Sequence, residues 1–265
     1  MAKIGFIGMG NMGYAILKGL LKEYSKEDLI LTDANAARRQ AVSDETGVPS
    51  VEDNKTCASR CDYLVLAVKP QYYDPVLAEI VDTVTAKQII ISIAPGISID
   101  QLKEKLGADK RIVRAMPNTP ALVGEGMTGV CYEAALFSEE ERDTIRRFFE
   151  SFGKMRLVEE RLINAVVCVS GSSPAYVYMF IEALADSAVK YGLPRDAAYE
   201  MAAQTLIGSA RMVLETGEHP GTLKDRVCSP GGTTIAAVSA LEECGFRSAV
   251  IKAADACYDK CSNLK

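Results

Sequence analysis

Two short stretches of this chain concentrate small residues and hydroxyls in patterns that suit chemistry. The first, Gly8-Met9-Gly10-Asn11-Met12-Gly13, matches G-x-G-x-x-G. It follows an apolar run by one residue and opens a helical pattern, the context this motif needs to cradle a dinucleotide. Gly8 permits a tight turn, Gly10 lets backbone approach a pyrophosphate, and Gly13 lets helix pack close to strand. The helix N-terminus then presents N–H groups to the phosphates. The second stretch, Ser229-Pro230-Gly231-Gly232-Thr233-Thr234-Ile235, reads as the opening of another helix, and so does Ser170-Gly171-Ser172-Ser173-Pro174-Ala175-Tyr176. Backbone N–H groups and hydroxyls at two helix starts resemble a cradle for a carboxylate. Ordinary N-capping by Ser173 and Thr233 accounts for the same residues.

Several further positions bear on the dinucleotide. Asp33 lies twenty residues past Gly13 at the end of the second apolar run. An acid there accepts hydrogen bonds from the adenosine ribose and favours NAD; alternatively it caps the helix that begins near Asn35. Asn35, Arg38 and Arg39 follow at once, and a guanidinium among them would suit a 2′-phosphate. NAD and NADP both stay open on the sequence. Ala67-Val68-Lys69-Pro70 and Ser92-Ile93-Ala94-Pro95-Gly96 each end an apolar run, and ligands on such sheets bind outside the carboxyl ends of strands. Lys69 therefore reads as a cofactor-groove residue or as a solvated turn lysine. His219, the single histidine, falls in a Gly-Glu-His-Pro-Gly turn and reads as structural.

These residues need elements to hold them. Strands are expected at 3–7, 29–32, 63–68, 88–93, 111–115, 127–132 and 154–158. Helices are expected between them at 11–23, 35–46, 72–84, 98–106 and 138–151. Near-continuous apolar runs such as Tyr63-Leu64-Val65-Leu66-Ala67-Val68 suit strands buried on both faces. Strand–helix alternation predicts an α/β doubly wound (Rossmann) parallel sheet. After about residue 160, long Ala-rich helical patterns take over at 174–191, 195–216, 234–243 and 248–262. The expected organisation is thus a dinucleotide-binding domain over 1–160 and an all-helical substrate and dimerisation domain over 161–265. Tyr176-Val177-Tyr178-Met179-Phe180-Ile181 is apolar all round, and such a helix is normally buried on every side. A helical domain of this size has trouble burying several such helices alone, so a second chain is expected to cover them; a well-buried monomer core is the alternative.

Composition narrows the classes. The chain has 265 residues, 48% of them hydrophobic, and a formal net charge of -5. It is long enough for a real core. A mildly acidic balance without a basic run argues against a nucleic-acid binder. No stretch reads as a membrane span or a signal peptide. The eight cysteines show no zinc spacing, and no metal site is expected. Cys57–Cys61 and Cys257–Cys261, each four apart, suit reduced thiols on helix faces, so a cytoplasmic protein is expected.

The chain resembles pyrroline-5-carboxylate reductases. The resemblance rests on Gly5–Gly13, Ala67–Pro70, Arg114-Ala115-Met116-Pro117-Asn118-Thr119-Pro120, Ser170–Tyr176 and Lys224–Thr234, in order over essentially the whole chain. The Met-Pro-Asn-Thr-Pro and Ser-Pro-Gly-Gly-Thr-Thr segments are distinctive of that family. The resemblance implies NAD(P)H-dependent reduction of a cyclic imine carboxylate to L-proline, a helical dimerisation domain and often a ring of dimers. It implies cofactor contacts at Ile7, Gly8, Met9, Gly10, Asn11 and Met12, and at Asn35, Asn54, Val68, Lys69, Pro70 and Ala94. It implies substrate-carboxylate contacts at Gly231, Gly232, Thr233 and Thr234. Ser172, in the Ser170–Tyr176 segment, is a further substrate candidate. Asp33 departs from the small polar residue of many relatives, which leans the expectation toward NADH as well as NADPH.

The chemistry agrees with the residues present. An imine carbon accepts hydride once its ring nitrogen is protonated or hydrogen-bonded, so the reaction needs positioning, a held carboxylate and one donor near nitrogen. Thr234 is the candidate for that hydroxyl, as proton donor or as orienting group. A hydroxyacid dehydrogenase of similar plan needs a base for the alcohol proton. Such enzymes carry a lysine near the start of the long helix, whereas 174–191 holds only Lys190, at its far end. A non-catalytic redox sensor would leave the Ser-Pro-Gly-Gly-Thr-Thr loop with no purpose beyond capping.

Overall fold

The architecture is that of a computed structural model describing residues 4–263. The chain forms two compact units, residues 4–174 with 257–263, and residues 175–256. In the first, strands β1 (Ile4–Ile7), β2 (Leu29–Thr32), β3 (Tyr63–Leu66), β4 (Ile89–Ser92), β5 (Arg111–Met116), β6 (Gly126–Cys131) and β7 (Gly153–Leu157) form one sheet. Their order is β2-β1-β3-β4-β5-β6-β7. Lys3, expected to start the first strand, lies outside the described residues.

Strands β1 to β5 pair in parallel, and each parallel step needs a crossover that covers one face of the sheet. The crossovers are α1 (Asn11–Leu20), α2 (Ala36–Thr46) with α3 (Asn54–Ser59), α4 (Tyr73–Ile80) and α5 (Ile99–Leu106). Helices on both faces explain the unbroken apolar runs: all four residues of β1, β2 and β4 are buried. The sheet then departs from the all-parallel expectation. β6 runs antiparallel to β5, and β7 runs parallel to β6 through the crossover helix α6 (Glu139–Glu150). Between β5 and β6 the chain makes only a short 3-10 turn at Thr119–Val123. So short a connection returns the chain antiparallel. Phe148 and Phe149 of α6 and the adjoining Phe152 pack edge to face and are buried in one cluster with Ile16, Leu17 and Leu20 of α1.

Side-chain caps account for several helix starts. Ser98 and Ser138 make full capping boxes with Gln101 and Glu141, ahead of α5 and α6. α3 was not expected. It is only six residues long, and Asp53 caps it through Thr56 N–H at 2.7 Å.

The segment after β7 also differs from expectation. Residues 160–190 form one helical path of 31 residues. It passes through α7 (Ile163–Val166) and a π-helical stretch (Val167–Gly171) into α8 (Ser173–Lys190). Ser170–Tyr176 therefore does not open a helix, and Ser173 is not an N-cap; its hydroxyl donates back to Val169 O at 2.5 Å. By length and composition alone this helix could cross a membrane. The sequence reading found no such span because it broke the segment at Pro174.

The second unit carries most of α8, then α9 (Arg195–Thr216), α10 (Pro220–Val227), α11 (Thr233–Glu243) and most of α12 (Phe246–Ser262). α10 was not expected; only its first residues fell in the Gly217–Gly221 stretch expected as a turn. His219 caps it, its Nδ1 accepting from Gly221 N–H at 3.1 Å, and Pro220 fills the first helical position. Few side chains of this unit are buried within it: Ala185, Ala198 and Ala202. Of the apolar run expected to be covered, Val177, Tyr178 and Met179 are exposed in the single chain, Met179 at 68%, while Tyr176, Phe180 and Ile181 are half-buried.

Candidate functional site

The carboxyl ends of β1, β2 and β3 open onto a cleft of about 370 Å³. It is lined by Ile7, Gly8 and Gly10 from the first turn, Asp33 and Ala34 after β2, and Asn54 from α3. Ala67, Val68 and Lys69 after β3 complete that side. Topologically this is the crevice where doubly wound sheets bind ligands: β1 sits between β2 and β3, and successive crossovers leave it in opposite directions.

Each glycine of the loop has a separate physical reason. Gly8 has φ +100, and a Cβ there would lie 2.8 Å from the Ala67 carbonyl oxygen. A Cβ on Gly13 would lie 2.3 Å from the Gly8 carbonyl oxygen, so α1 could not approach its own strand. Gly10 meets nothing within 4 Å and is exposed toward the cleft. It is also the N-cap of α1 and supplies no side-chain cap, so a ligand has clear access to the first-turn N–H groups. An open N-terminus beside a gap that any side chain would fill is the shape a pyrophosphate requires. The site thus fits a dinucleotide.

Asp33 is tied into this loop. One carboxylate oxygen accepts from Met9 N–H at 2.6 Å, and the other from Asn35 N–H at 2.8 Å. Asn35, rather than Asp33, caps α2 by accepting from Arg38 N–H at 3.1 Å. Asn54 donates to Glu79 Oε2 at 2.6 Å across the cleft mouth. Tyr73 braces the floor from behind: buried, it donates to the Leu66 carbonyl at 2.9 Å and pairs with Ser92 Oγ at 3.0 Å. It thereby joins the ends of β3 and β4, from which the two expected groove turns spring, and burial raises its phenol above the ordinary range.

The structure brings Ile7, Gly8, Gly10, Asp33, Asn54, Val68 and Lys69 around one cleft. Met9 and Gly13 are buried behind it, while Asn11 and Met12 form the first turn of α1. Pro70 faces a neighbouring hollow with Pro95 and Gly96, and Ala94 is buried beside that hollow rather than lining the cleft. The far wall was missed: Tyr72, Pro75, Val76 and Glu79. They fall at i, i+3, i+4 and i+7, one face of α4 and the residue before it, and that spacing was the available signal.

Asn118, from the Met-Pro-Asn-Thr-Pro segment, reaches the Ser170–Tyr176 segment. Pro174 has no N–H to give the carbonyl four residues back, at Ser170. Asn118 Nδ2 donates to that carbonyl at 2.9 Å, and its Oδ1 accepts from Met127 N–H at 2.9 Å. Ser172 N–H closes the π turn onto Val167 O at 2.8 Å, and the Ser172 hydroxyl accepts from Cys257 Sγ at 3.3 Å.

In the second unit, Gly231 (φ +68) turns the chain into α11, and Gly232 is the N-cap. No side chain caps this helix. Thr233 is therefore not the cap its position suggested, and the hydroxyls of Thr233 and Thr234 stand in the first turn of an uncapped N-terminus.

Comparison with known proteins agrees with this anatomy. Residues 160–264 match the family model described as pyrroline-5-carboxylate reductase dimerisation. Residues 3–96 match the one described as NADP oxidoreductase, coenzyme F420-dependent. The pyrroline-5-carboxylate reductase of Escherichia coli strain K12 is 49% identical over 264 residues, 99% of this chain and 98% of that protein. The solved pyrroline-5-carboxylate reductase of Coxiella burnetii superposes with a TM-score of 0.90 at 34% identity, covering 100% of this chain and 98% of that one. The pyrroline carboxylate reductase of Plasmodium falciparum, solved with NADP bound, gives a TM-score of 0.87 at 33% identity, covering 98% and 97%. With an ordered, near-complete match at such identity, this chain belongs to the pyrroline-5-carboxylate reductase family.

Proposed function

We propose that this enzyme reduces 1-pyrroline-5-carboxylate to L-proline, the last step of proline biosynthesis. The observation that carries the reading is the cleft at the ends of β1 to β3, with its open Gly10 corner, in a chain that matches these reductases from end to end. The nicotinamide dinucleotide, NADPH or NADH, supplies the hydride. The chain's own residues hold and orient. Gly8 to Met12 receive the pyrophosphate on the N-terminus of α1, backed by Gly13. Asn35, Asn54, Val68, Lys69, Pro70 and Ala94 are assigned to the cofactor by the family resemblance, and Asp33 by its place at the end of β2.

Gly231, Gly232 and Thr233 grip the substrate carboxylate at the uncapped N-terminus of α11, where N–H groups and the helix dipole favour an anion. Ser172 is a further substrate contact. The Thr234 hydroxyl stands nearest the ring nitrogen and donates to it or orients it. No strong general base is called for, since protonated or hydrogen-bonded imines accept hydride directly.

Residues 1–160 act as the dinucleotide domain and 161–265 as the substrate and dimerisation domain. The exposed apolar faces of α8 and α9 support a homodimer, with rings of dimers as the higher assembly the family resemblance implies. The unbridged, buried thiols of Cys57 and Cys61 fit a cytoplasmic protein.

Steady-state oxidation of NADPH and NADH with pyrroline-5-carboxylate tests the reading, against a panel of hydroxyacids run in the oxidative direction. Turnover of hydroxyacids alone would overturn it. Thr234→Ala should lower kcat/KM by about 10²-fold, the low end for loss of a positioned proton donor. Cofactor affinity, followed by fluorescence titration, should be nearly unchanged.

A further inference from the structure

The far wall of the cleft carries an acid, Glu79, that has no role in holding the sheet or the glycine loop. Glu79 stands on α4 and faces Asn54, the first residue of α3. Asn54 Nδ2 donates to Glu79 Oε2 at 2.6 Å. Both side chains line the cleft, together with Tyr72, Pro75 and Val76. Among the described residues Glu79 forms no ion pair, and the Asn54 amide is its hydrogen-bond partner.

The position of this pair says which part of a dinucleotide it meets. The pyrophosphate belongs at the open N-terminus of α1, beside Gly10, and the adenosine ribose at the end of β2, beside Asp33. The sheet order β2-β1-β3-β4 puts the hydride end on the other side of β1, toward β4. A bridge between Leu31 and Ser50 carries the chain along β2 into α3, so Asn54 stands on the adenosine side. The base therefore enters between Asn54 and α4. Tyr72, which is 55% exposed, Pro75 and Val76 offer apolar surface to a flat ring there. Asn54 and Glu79 supply the polar groups.

A carboxylate only accepts hydrogen bonds, whereas an amide donates at one end and accepts at the other. Glu79 thus fixes which way the Asn54 amide faces, nitrogen toward α4 and oxygen away from it. Nδ2 keeps its second N–H, and Oδ1 takes no donor among the described residues. An acceptor beside a donor is the pair by which asparagine reads adenine, at the 6-amino group and the adjoining ring nitrogen. Hypoxanthine, with oxygen in place of that amino group, would set its oxygen against Oδ1. Without the carboxylate the amide is free to turn over and present N–H to that oxygen instead.

We infer, resting on the dinucleotide reading of the cleft, that Glu79 is a positioning residue: it locks the Asn54 amide in the orientation that accepts the 6-amino group of adenine, and so makes the cleft selective for the adenine base.

The test uses the full chain and calorimetry of NADPH and NADH, each beside the counterpart in which hypoxanthine replaces adenine. The parent protein should bind the adenine form at least ~10-fold more tightly, the cost of one mispaired hydrogen bond. Glu79→Gln, whose amide donates as well as accepts, should bring the two forms within about 3-fold of each other. Glu79 is exposed, so this variant should keep its fold. Asn54→Ala should erase the preference as well. Tyr72→Ala should weaken both forms alike, because either base offers the same faces to an aromatic ring. Equal binding of the two forms by the parent protein overturns the inference. So does a Glu79→Gln or Asn54→Ala protein that keeps the parent's preference, or a Glu79→Gln protein that loses affinity for both forms equally. If no dinucleotide binds the parent protein, the dinucleotide reading of the cleft itself falls.

Discussion

The two units of this chain solve the burial problem in opposite ways. In the first, strands β1, β2 and β4 are buried along their whole length, and large side chains such as Phe6, Phe148 and Tyr73 are enclosed. In the second, the buried residues are alanines, while Met179 and Leu214 stand 68% and 66% exposed. A sheet with helices on both faces closes its own core; a set of long helices with apolar surface on several sides does not. The first unit therefore reads as self-sufficient and the second as half of a core. Function follows the same division: the cleft that fits a dinucleotide lies wholly in the unit that is complete by itself.

The largest effect should come from breaking the incomplete half. Met179→Asp places a charge on an apolar face that, in a lone chain, is mere surface and would shift stability within about ±0.5 kcal/mol. If a second copy covers that face, the buried unpaired charge should turn dimer into monomer at micromolar concentration, read by sedimentation, with nucleotide binding retained. An unchanged dimer would remove the contrast.

In the complete half, two glycines of one motif should respond differently. Gly13→Ala drives a methyl onto the Gly8 carbonyl oxygen, 2.3 Å away, and should cost about 1–3 kcal/mol or more in thermal stability as well as cofactor binding. Gly10→Val meets open space and should leave the melting temperature nearly unchanged while abolishing dinucleotide binding. A Gly10→Val protein that binds normally would place the phosphates elsewhere.

The smallest effect concerns the first unit alone, where the long helix begins. Asn118→Ala leaves the Ser170 carbonyl and the Met127 N–H without their partner and should cost about 1–3 kcal/mol in denaturant unfolding. A neutral result would mean that water replaces the side chain there.

Much of the fold was legible because the signals were local. The runs at Leu29–Thr32 and Tyr63–Leu66 gave strands, Ser98 and Ser138 gave helix starts, and Gly8 to Gly13 gave the turn. The failures were also local in origin. Pro174 reads as a helix start, yet here it sits inside a continuous helix because Asn118, 52 positions earlier than Ser170, serves the carbonyl that Pro174 cannot. His219-Pro220-Gly221 reads as a turn until the imidazole is seen capping a helix.

By itself the amino-acid sequence determined the alternation of strands and helices, the glycine loop and the motifs that mark the family, since each depends on neighbours a few positions apart. Only the tertiary structure decided the antiparallel turn to β6, the Tyr72–Glu79 wall of the cleft and the engagement of Asp33 by Met9 and Asn35. Met9 reaches Asp33 across 24 positions, and the Tyr72–Glu79 wall faces residues from three other turns; no local propensity records which distant donor will reach a given carboxylate.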